Sequence, residues 1–127
     1  MPRSQSPTLT EAELRLMNVL WDKGASTVQQ ILDALPASRP LAYNSVLTTI
    51  RILEKKGYVK HLEEGRAHVY RSVVGRKDAT HSEIRHLVSR FFQDSRDLLV
   101  LNLLEERGID AEELQRLREL LKESDKQ

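Results

Sequence analysis

The feature that most constrains the fold of this chain is an amphipathic segment at residues 41–57, which a hairpin-like segment at residues 58–74 follows at once. At 100° per residue, a helix here gathers Val46, Ile50 and Leu53 on one side, with Tyr43 at the margin. Gly57 ends it after two lysines, which is typical of a helix C-terminus. The opposite side carries short hydrogen-bonding groups and then cations: Asn44, Thr48, Arg51 and Lys55.

The polar side of this helix has the side-chain chemistry that reads a DNA major groove. Asparagine, serine and threonine bond to base edges there, and arginine or lysine reads guanine or holds phosphate. An amphipathic helix whose polar face simply meets water is the alternative, since most polar helix faces do so. The segments on either side of the helix favour the first interpretation.

Two further helices are predicted before this segment. Thr10 and Glu13 have the spacing of a capping box, and Ser26 and Gln29 repeat it before a second helix that Pro36 ends. Three short helices before a hairpin, the third with a polar face, is the order of a winged helix-turn-helix. The predicted fold class is therefore mainly α with a small β-hairpin wing, followed by a C-terminal helical dimerisation element.

The hairpin is predicted to consist of strands at residues 58–63 and 66–73, with Glu64-Gly65 as its turn. Arg66 would lie near the tip, where it can reach a backbone phosphate or the minor groove; the alternative is a salt-bridged surface arginine. A longer loop would shift the register. A two-residue loop predicts three facing pairs: Glu63 with Arg66, His61 with His68, and Val59 with Tyr70.

The last third of the chain is predicted to form helices that carry stripes of leucine. We expect a disordered lead-in at residues 1–8, a DNA-binding domain at 9–76 and a helical dimerisation region at 77–127. About fifty residues cannot bury so much leucine in a core of their own, so a second copy is the expected partner; packing back on the same chain is the alternative. The predicted dimerisation residues are Ile84, Leu87, Val88, Phe91, Leu98, Leu101, Leu104, Leu117 and Leu121.

Composition excludes several function classes. The 127 residues contain no cysteine, which excludes disulfides, thiolate metal sites and cysteine nucleophiles. No apolar run of about 18 residues and no signal peptide is evident, so we expect a cytoplasmic protein. The net charge of +1 divides into +3 for residues 1–75 and −2 for residues 76–127, which fits a DNA-binding half joined to a protein-binding half.

Neither an enzyme nor a metal site is predicted. Phosphate loops, zinc-protease motifs and nucleophile elbows are absent, so we expect no catalysis and no cofactor. His81 and His86 diverge by about 140° on a helix and cannot share a metal. His61 and His68 are two ligands where zinc needs three or four.

Three stretches together resemble the penicillinase-repressor (BlaI/MecI) family: LTEAELRLMNVLWDKGASTVQQILDAL, LAYNSVLTTIRILEKKGYVKH and GRAHVYR. The tail LLVLNLLEERGIDAEELQRLRELL is similar to that family's C-terminal part. The resemblance implies a homodimeric repressor that binds a near-palindromic operator. It further implies release by cleavage at Asn102-Leu103 after a membrane sensor protease signals. It places DNA contacts at Tyr43, Asn44, Ser45, Thr48, Arg51 and Arg66.

Two departures from the family pattern matter. The related copper-responsive repressors use C-terminal cysteines, which this chain lacks, and Leu103 stands where the well-known members have an aromatic residue. Asn102 has two interpretations. It is either part of the cleaved bond or a polar group that fixes dimer register, as a lone asparagine does in coiled coils.

We therefore predict a dimeric transcriptional repressor that binds double-stranded operator DNA, with half-sites about one helical turn apart. Asn44, Ser45, Thr48 and Arg51 are expected to read bases. The alternative is a winged-helix protein-interaction module, which would more typically show exposed aromatics on this face; Ile52 alone favours it. The expected phosphate contacts are Arg39, Lys55, Lys56 and Arg66.

Overall fold

The computed structural model describes residues 8–125, so all but the last residue of the expected disordered lead-in lies outside the described residues. Two compact units divide between His86 and Leu87. The functional division between residues 76 and 77 stays a prediction. Within the described part of the chain, no helix is both long and apolar enough to cross a membrane.

The first helix, α1 (Glu11–Lys23), begins at the predicted capping box. Thr10 Oγ1 accepts a hydrogen bond from the Glu13 backbone N–H at 3.1 Å, and Glu13 Oε1 accepts one from the Thr10 N–H at 2.9 Å. Two backbone donors that a helix start leaves without partners are thereby satisfied. The prediction for this helix is confirmed.

The second capping box was predicted one residue too early. A short strand, β1 (Ser26–Thr27), precedes α2 (Val28–Ala34), and the cap is Thr27 with Gln30 as its partner. Ser26 is paired with Tyr70 across the sheet, and its hydroxyl donates to the Gly24 carbonyl at 2.9 Å. Ser26 is thus committed to the sheet, and the next residue caps the helix.

The third helix, α3 (Tyr43–Lys56), carries the amphipathic pattern and begins two residues after the start of the segment predicted for it. Its N-cap, Ala42, makes no side-chain hydrogen bond. Gly57 ends it at φ 92°, a left-handed conformation that glycine adopts without steric cost. The predicted helix end is confirmed.

The wing consists of β2 (Val59–Glu64) and β3 (Ala67–Ser72), and β1 adds a third antiparallel strand in the order β1-β3-β2. The predicted turn and register were wrong. The two loop residues are Gly65 and Arg66, so that Glu64 pairs with Ala67 and His61 with Tyr70. Gly65 has φ 63° and Arg66 does not have a positive φ, which is the pattern of a type II′ turn. A loop of Glu64 and Gly65 would not place glycine first, where this turn requires it.

One core joins the three helices and the sheet, which confirms the predicted fold class. Trp21 connects α1 to the chain leaving β3, because its indole N–H donates to the Val74 carbonyl at 2.9 Å. Arg76 lies over the Trp21 ring, 5.2 Å from its centroid, and bonds Asp22 at 2.8 Å. The buried cluster contains Leu16, Met17, Leu20, Val28, Ile31, Leu35, Val46, Ile50, Leu53, Tyr58, Val59, Tyr70 and Ala79.

Three helices follow the wing: α4 (Arg76–Phe91), α5 (Arg96–Arg107) and α6 (Ala111–Asp125). Phe92 lies just beyond the end of α4. Gln93 and Asp94 have φ values of 52° and 63°, and this left-handed turn separates α4 from α5. Asp110 caps the start of α6, since its Oδ1 accepts a hydrogen bond from the Glu113 N–H at 2.8 Å.

Candidate nucleic-acid interface

The orientation of α3 follows from its apolar side. Val46, Ile50 and Leu53 are completely buried, so the helix cannot rotate without exposing them. The wheel positions opposite these three are thereby fixed toward solvent. Asn44, Thr48, Arg51 and Lys55 are all exposed, as predicted, and Ser45 is exposed beside them. We call Asn44, Ser45, Thr48 and Lys55 the outward ridge.

The outward ridge has the composition of a surface that reads DNA. It offers amide and hydroxyl groups near the start of α3 and an ammonium near its end, and it contains no carboxylate. Ile52 lies beside it with 42% of its surface exposed, where it can meet either an apolar protein surface or a thymine methyl group. The ridge therefore presents hydrogen-bonding groups over about three helical turns.

A second stripe of α3 faces the wing. Tyr43, Leu47 and Arg51 follow one another at four-residue spacing and line one side of a cleft of about 430 Å³. Arg66 of the hairpin loop lines the same cleft. We call it the wing cleft; its lining is Thr27, Val28, Gln29, Tyr43, Leu47, Arg51, Arg66, Ala67, His68 and Tyr70.

The wing is held against α3 by a histidine–carboxylate contact. His61 Nδ1 lies 2.7 Å from Glu54 Oε2, so strand β2 is tied to the last turns of the helix. His61 and His68 stack with their ring centroids 4.4 Å apart, as diagonal rather than facing neighbours. His68 Nε2 lies 3.4 Å from Glu63 Oε2. Together these contacts give the wing a defined position beside the helix.

Tyr70 of β3 and Tyr58, just before β2, stay protonated at neutral pH. Burial raises the pKa of Tyr70, the Glu54 carboxylate raises it further, and the Arg51 guanidinium acts in the opposite direction. Burial also raises the pKa of Tyr58, with Glu83 and Glu13 adding to the shift. Arg51 and Tyr70 line the same wing cleft, which agrees with the effect of this guanidinium on the pKa of Tyr70.

Two of the predicted phosphate contacts lie away from the outward ridge. Lys56 is largely buried and forms an ion pair of 2.7 Å with Glu13 of α1, whose side chain is 5% exposed. Arg39 is 3.9 Å from Glu11, and its carbonyl accepts a hydrogen bond from Arg15. Arg39 lines a different cleft, between α1 and the end of α2. We therefore leave both out of the interface.

Sequence reasoning missed Thr27, Gln29, His68 and Tyr70 as neighbours of the wing cleft. The signal that could have found them is the position of Gly65, because a glycine at the first loop position fixes the register of the hairpin. In that register Tyr70 faces His61, the residue that contacts Glu54 of α3. Strand β1, which brings Thr27 to the cleft, has only two residues and no periodicity to detect.

The predicted dimerisation residues are exposed in the single chain, with one exception. Val88 is 5% exposed and already buried, whereas Ile84, Leu87, Phe91, Leu98, Leu101, Leu104, Leu117 and Leu121 are each at least 39% exposed. Of the seventeen large hydrophobic residues exposed in the described part of the chain, twelve lie between residues 84 and 121. Within residues 8–125, no three histidine or carboxylate side chains are grouped to hold a metal ion.

The ion pair of Lys56 generates a prediction about stability. Lys56→Ala leaves the Glu13 carboxylate buried without its cation, so we expect the free energy of unfolding to fall by about 1–3 kcal/mol. Lys55→Ala is the matched control, because Lys55 is exposed, and should change it by less than about 0.5 kcal/mol. Urea unfolding followed by circular dichroism measures both. Equal effects of the two variants would contradict the structural role of Lys56.

Comparison with known proteins places the chain in a family. The sequence profile described as "Penicillinase repressor" matches residues 9–123. The penicillinase repressor of Bacillus licheniformis is 27% identical over 117 residues, which cover 92% of this chain and 91% of that protein. The transcriptional regulator BlaI of Mycobacterium tuberculosis is 39% identical over 71 residues, 55% of this chain and 51% of that protein.

A structural relative matches the winged-helix part. The solution structure of the DNA binding domain of the repressor BlaI aligns with a TM-score of 0.53 at 26% identity, covering 60% of this chain and 93% of that chain. The family match spans almost the whole sequence. The chain therefore belongs to the penicillinase repressor family, which consists of DNA-binding transcriptional regulators rather than enzymes.

Proposed function

We propose that this protein is a dimeric repressor that binds a near-palindromic operator, with one winged helix on each half-site. The observation that carries the proposal is the outward ridge, an exposed polar helix face without carboxylates, held by a fully buried apolar stripe. Such a helix fits a B-DNA major groove, about 12 Å wide. Two copies would contact half-sites separated by about one helical turn.

Within the ridge, Asn44, Ser45 and Thr48 are proposed to read base edges, and Lys55 to contact a phosphate. The three base readers lie in the first half of α3, and recognition helices commonly contact bases with their N-terminal residues. Lys55 lies near the helix end, farther from the groove floor. Tyr43, at the first position of α3, is half-exposed and completes the proposed contact surface.

Thr48→Ala tests the base-reading role. The variant should relax the sequence preference at one operator position by roughly 1–3 kcal/mol, because a single base contact is lost. Binding sites are first selected from a random DNA pool with the wild-type protein. Fluorescence anisotropy then compares the selected duplex with single-position variants. Thr80→Ala, an exposed threonine on α4, is the matched control. Unchanged discrimination in the Thr48 variant would refute its assignment.

The proposed dimer uses the exposed leucines of α5 and α6. Apolar patches of this extent on small helices are typical of interfaces between protein chains. The leucines of α6 recur at spacings of three and four along one side of that helix, and α5 is apolar at every position from 98 to 104 except Asn102. A second copy of the chain is the occupant that a two-fold-symmetric operator requires.

The double variant Leu98→Glu, Leu101→Glu should be monomeric, because the interface would otherwise bury unpaired carboxylates. Sedimentation velocity measures the mass, and operator affinity should fall strongly, since one winged helix makes half of the contacts. Leu62→Glu, at an exposed leucine of the wing, is the control for a surface charge and should remain dimeric. A double variant that still sediments as a dimer would place the interface elsewhere.

Signal-dependent proteolysis at Asn102-Leu103 is the proposed route of release, with a membrane sensor protease, or a protease that it activates, as the partner. Both residues are exposed in the single chain. The bond lies inside α5, and the Asn102 side-chain amide donates to the Leu98 carbonyl of the same helix at 2.8 Å. A protease needs extended backbone, so α5 must open; a twelve-residue helix is marginal by itself and can do so.

A limited-digestion experiment tests the accessibility of that bond. With a protease of broad specificity, the monomeric Leu98/Leu101 variant should be cut first within α5, whereas the wild type should be cut there more slowly because the dimer covers the helix. Mass spectrometry of the fragments locates the cut. The rival role of Asn102 as a register-fixing group gains support if α5 resists cleavage in both forms.

A further inference from the structure

We propose that the wing cleft is a binding site for one phosphodiester of the DNA backbone, held between Arg51 of α3 and Arg66 of the hairpin loop. The proposal rests on the DNA-binding function above and deepens it. It changes the expected role of Arg51, from a residue that reads a base to one that holds the backbone and so sets the position of α3 in the groove.

The first support is the direction in which Arg51 lies. Tyr43, Leu47 and Arg51 form the stripe of α3 that borders the wing, and Arg51 affects the ionisation of Tyr70 on β3. Glu54, two helical turns beyond Leu47 and on the same side, touches His61 of β2. Arg51 therefore shares a cleft with the wing, whereas the four outward-ridge residues do not line it.

The second support is the charge of the cleft. None of its ten lining residues is acidic, while Arg51 of α3 and Arg66 of the hairpin loop lie on opposite walls. The neighbouring carboxylates already have partners, because Glu54 contacts His61 and Glu63 contacts His68. Two fixed positive charges thus face a cleft without internal counter-charge, which favours an anionic ligand.

The third support is the hydrogen-bonding chemistry. A guanidinium presents several N–H donors in a plane that matches the oxygens of a phosphate, and two guanidiniums can hold one phosphate from two sides. Tyr43 adds a hydroxyl at the rim, and the pKa of Tyr70 is raised, chiefly by burial, so that its phenol stays protonated. The cleft volume of about 430 Å³ exceeds the space that one phosphodiester requires, so the DNA strand can pass through its open side.

The geometry of the two walls explains why the ligand is a backbone phosphate rather than a separate small anion. One wall is the proposed recognition helix and the other is the wing, two elements that contact the same duplex in winged-helix proteins. The DNA strand at the edge of the major groove that α3 enters would pass between the helix and the wing. The positioning of α3 would then depend on the wing through this phosphate, although the wing itself reads no base.

The experiment measures the salt dependence of binding for the wild type, Arg51→Ala, Arg66→Ala and the double variant. The duplex is one selected from a random pool with the wild-type protein. Each phosphate contact contributes about 0.9 to the slope of log K against log salt concentration. If both arginines hold the same phosphate, each single variant loses about one contact from the slope. The double variant then loses little more.

A second arm removes the ligand rather than the side chains. Single phosphates of the duplex are replaced in turn by uncharged methylphosphonates. At one position per half-site, the replacement should weaken wild-type binding about as much as Arg51→Ala does, and it should add almost nothing in either arginine variant. Arg85→Ala, an exposed arginine of α4, is the matched control and should retain the wild-type response.

Three outcomes would overturn the proposal. Additive losses in the double variant would assign the arginines to separate phosphates. An unchanged slope with a lost preference at one base position would make Arg51 a base reader. Added inorganic phosphate could also lower the salt slopes of the wild type and of Arg85→Ala to the slope of Arg51→Ala. That result would identify the cleft as a site for a small anion. Failure of the wild type to prefer any selected sequence would instead refute the proposed operator binding itself.

Thermal unfolding of each variant controls for misfolding, since both arginines are exposed and their removal should leave the melting temperature within a few degrees. Arg51→Lys supplies a further readout. It keeps the charge but loses the planar fork, so it should restore the salt slope while recovering only part of the affinity. Complete recovery by lysine would show that charge alone acts at this position.

Discussion

The packing of one apolar stripe, formed by Val46, Ile50 and Leu53 on α3, is the constraint on which the rest of the winged helix depends. These three side chains are fully buried between α1, α2 and the sheet, so the rotation of α3 about its axis is determined by hydrophobic burial. All polar positions of the helix then have defined directions. The outward ridge faces solvent, the stripe of Tyr43, Leu47 and Arg51 faces the wing, and Lys56 faces α1.

Polar contacts complete what burial begins. The Glu13 carboxylate accepts from the Thr10 backbone N–H and from Lys56, and it thus joins the start of α1 to the end of α3. The contact between His61 and Glu54 joins the wing to the same helix from the other side. Both contacts hold the C-terminal half of α3. The proposed base readers lie in the N-terminal half of the same helix, so their position is determined by these contacts and by the buried stripe.

The C-terminal helices follow a different physical pattern. The winged helix buries its large apolar side chains, whereas α5 and α6 expose leucines at helical spacing over more than twenty residues. A single copy gains little from these side chains, so their stabilising energy is available to a partner. The proposed division of labour is therefore one between a region that buries its apolar face within the chain and one that needs a second chain to do so.

The sequence by itself determined the class of the fold, because the periodicity of α3, the capping box at Thr10 and Glu13, and Gly57 act through local rules. It also predicted correctly that Asn44, Thr48, Arg51 and Lys55 are exposed, since these lie opposite the apolar stripe. The tertiary structure alone decided the partners of the remaining charges. Lys55 and Lys56 are neighbours in the chain, yet one meets solvent and the other Glu13. The packing of the wing against α3 brought Arg66 and His68 into the same cleft as Arg51. Such contacts join segments that are distant in the sequence, and no local pattern in the chain encodes them.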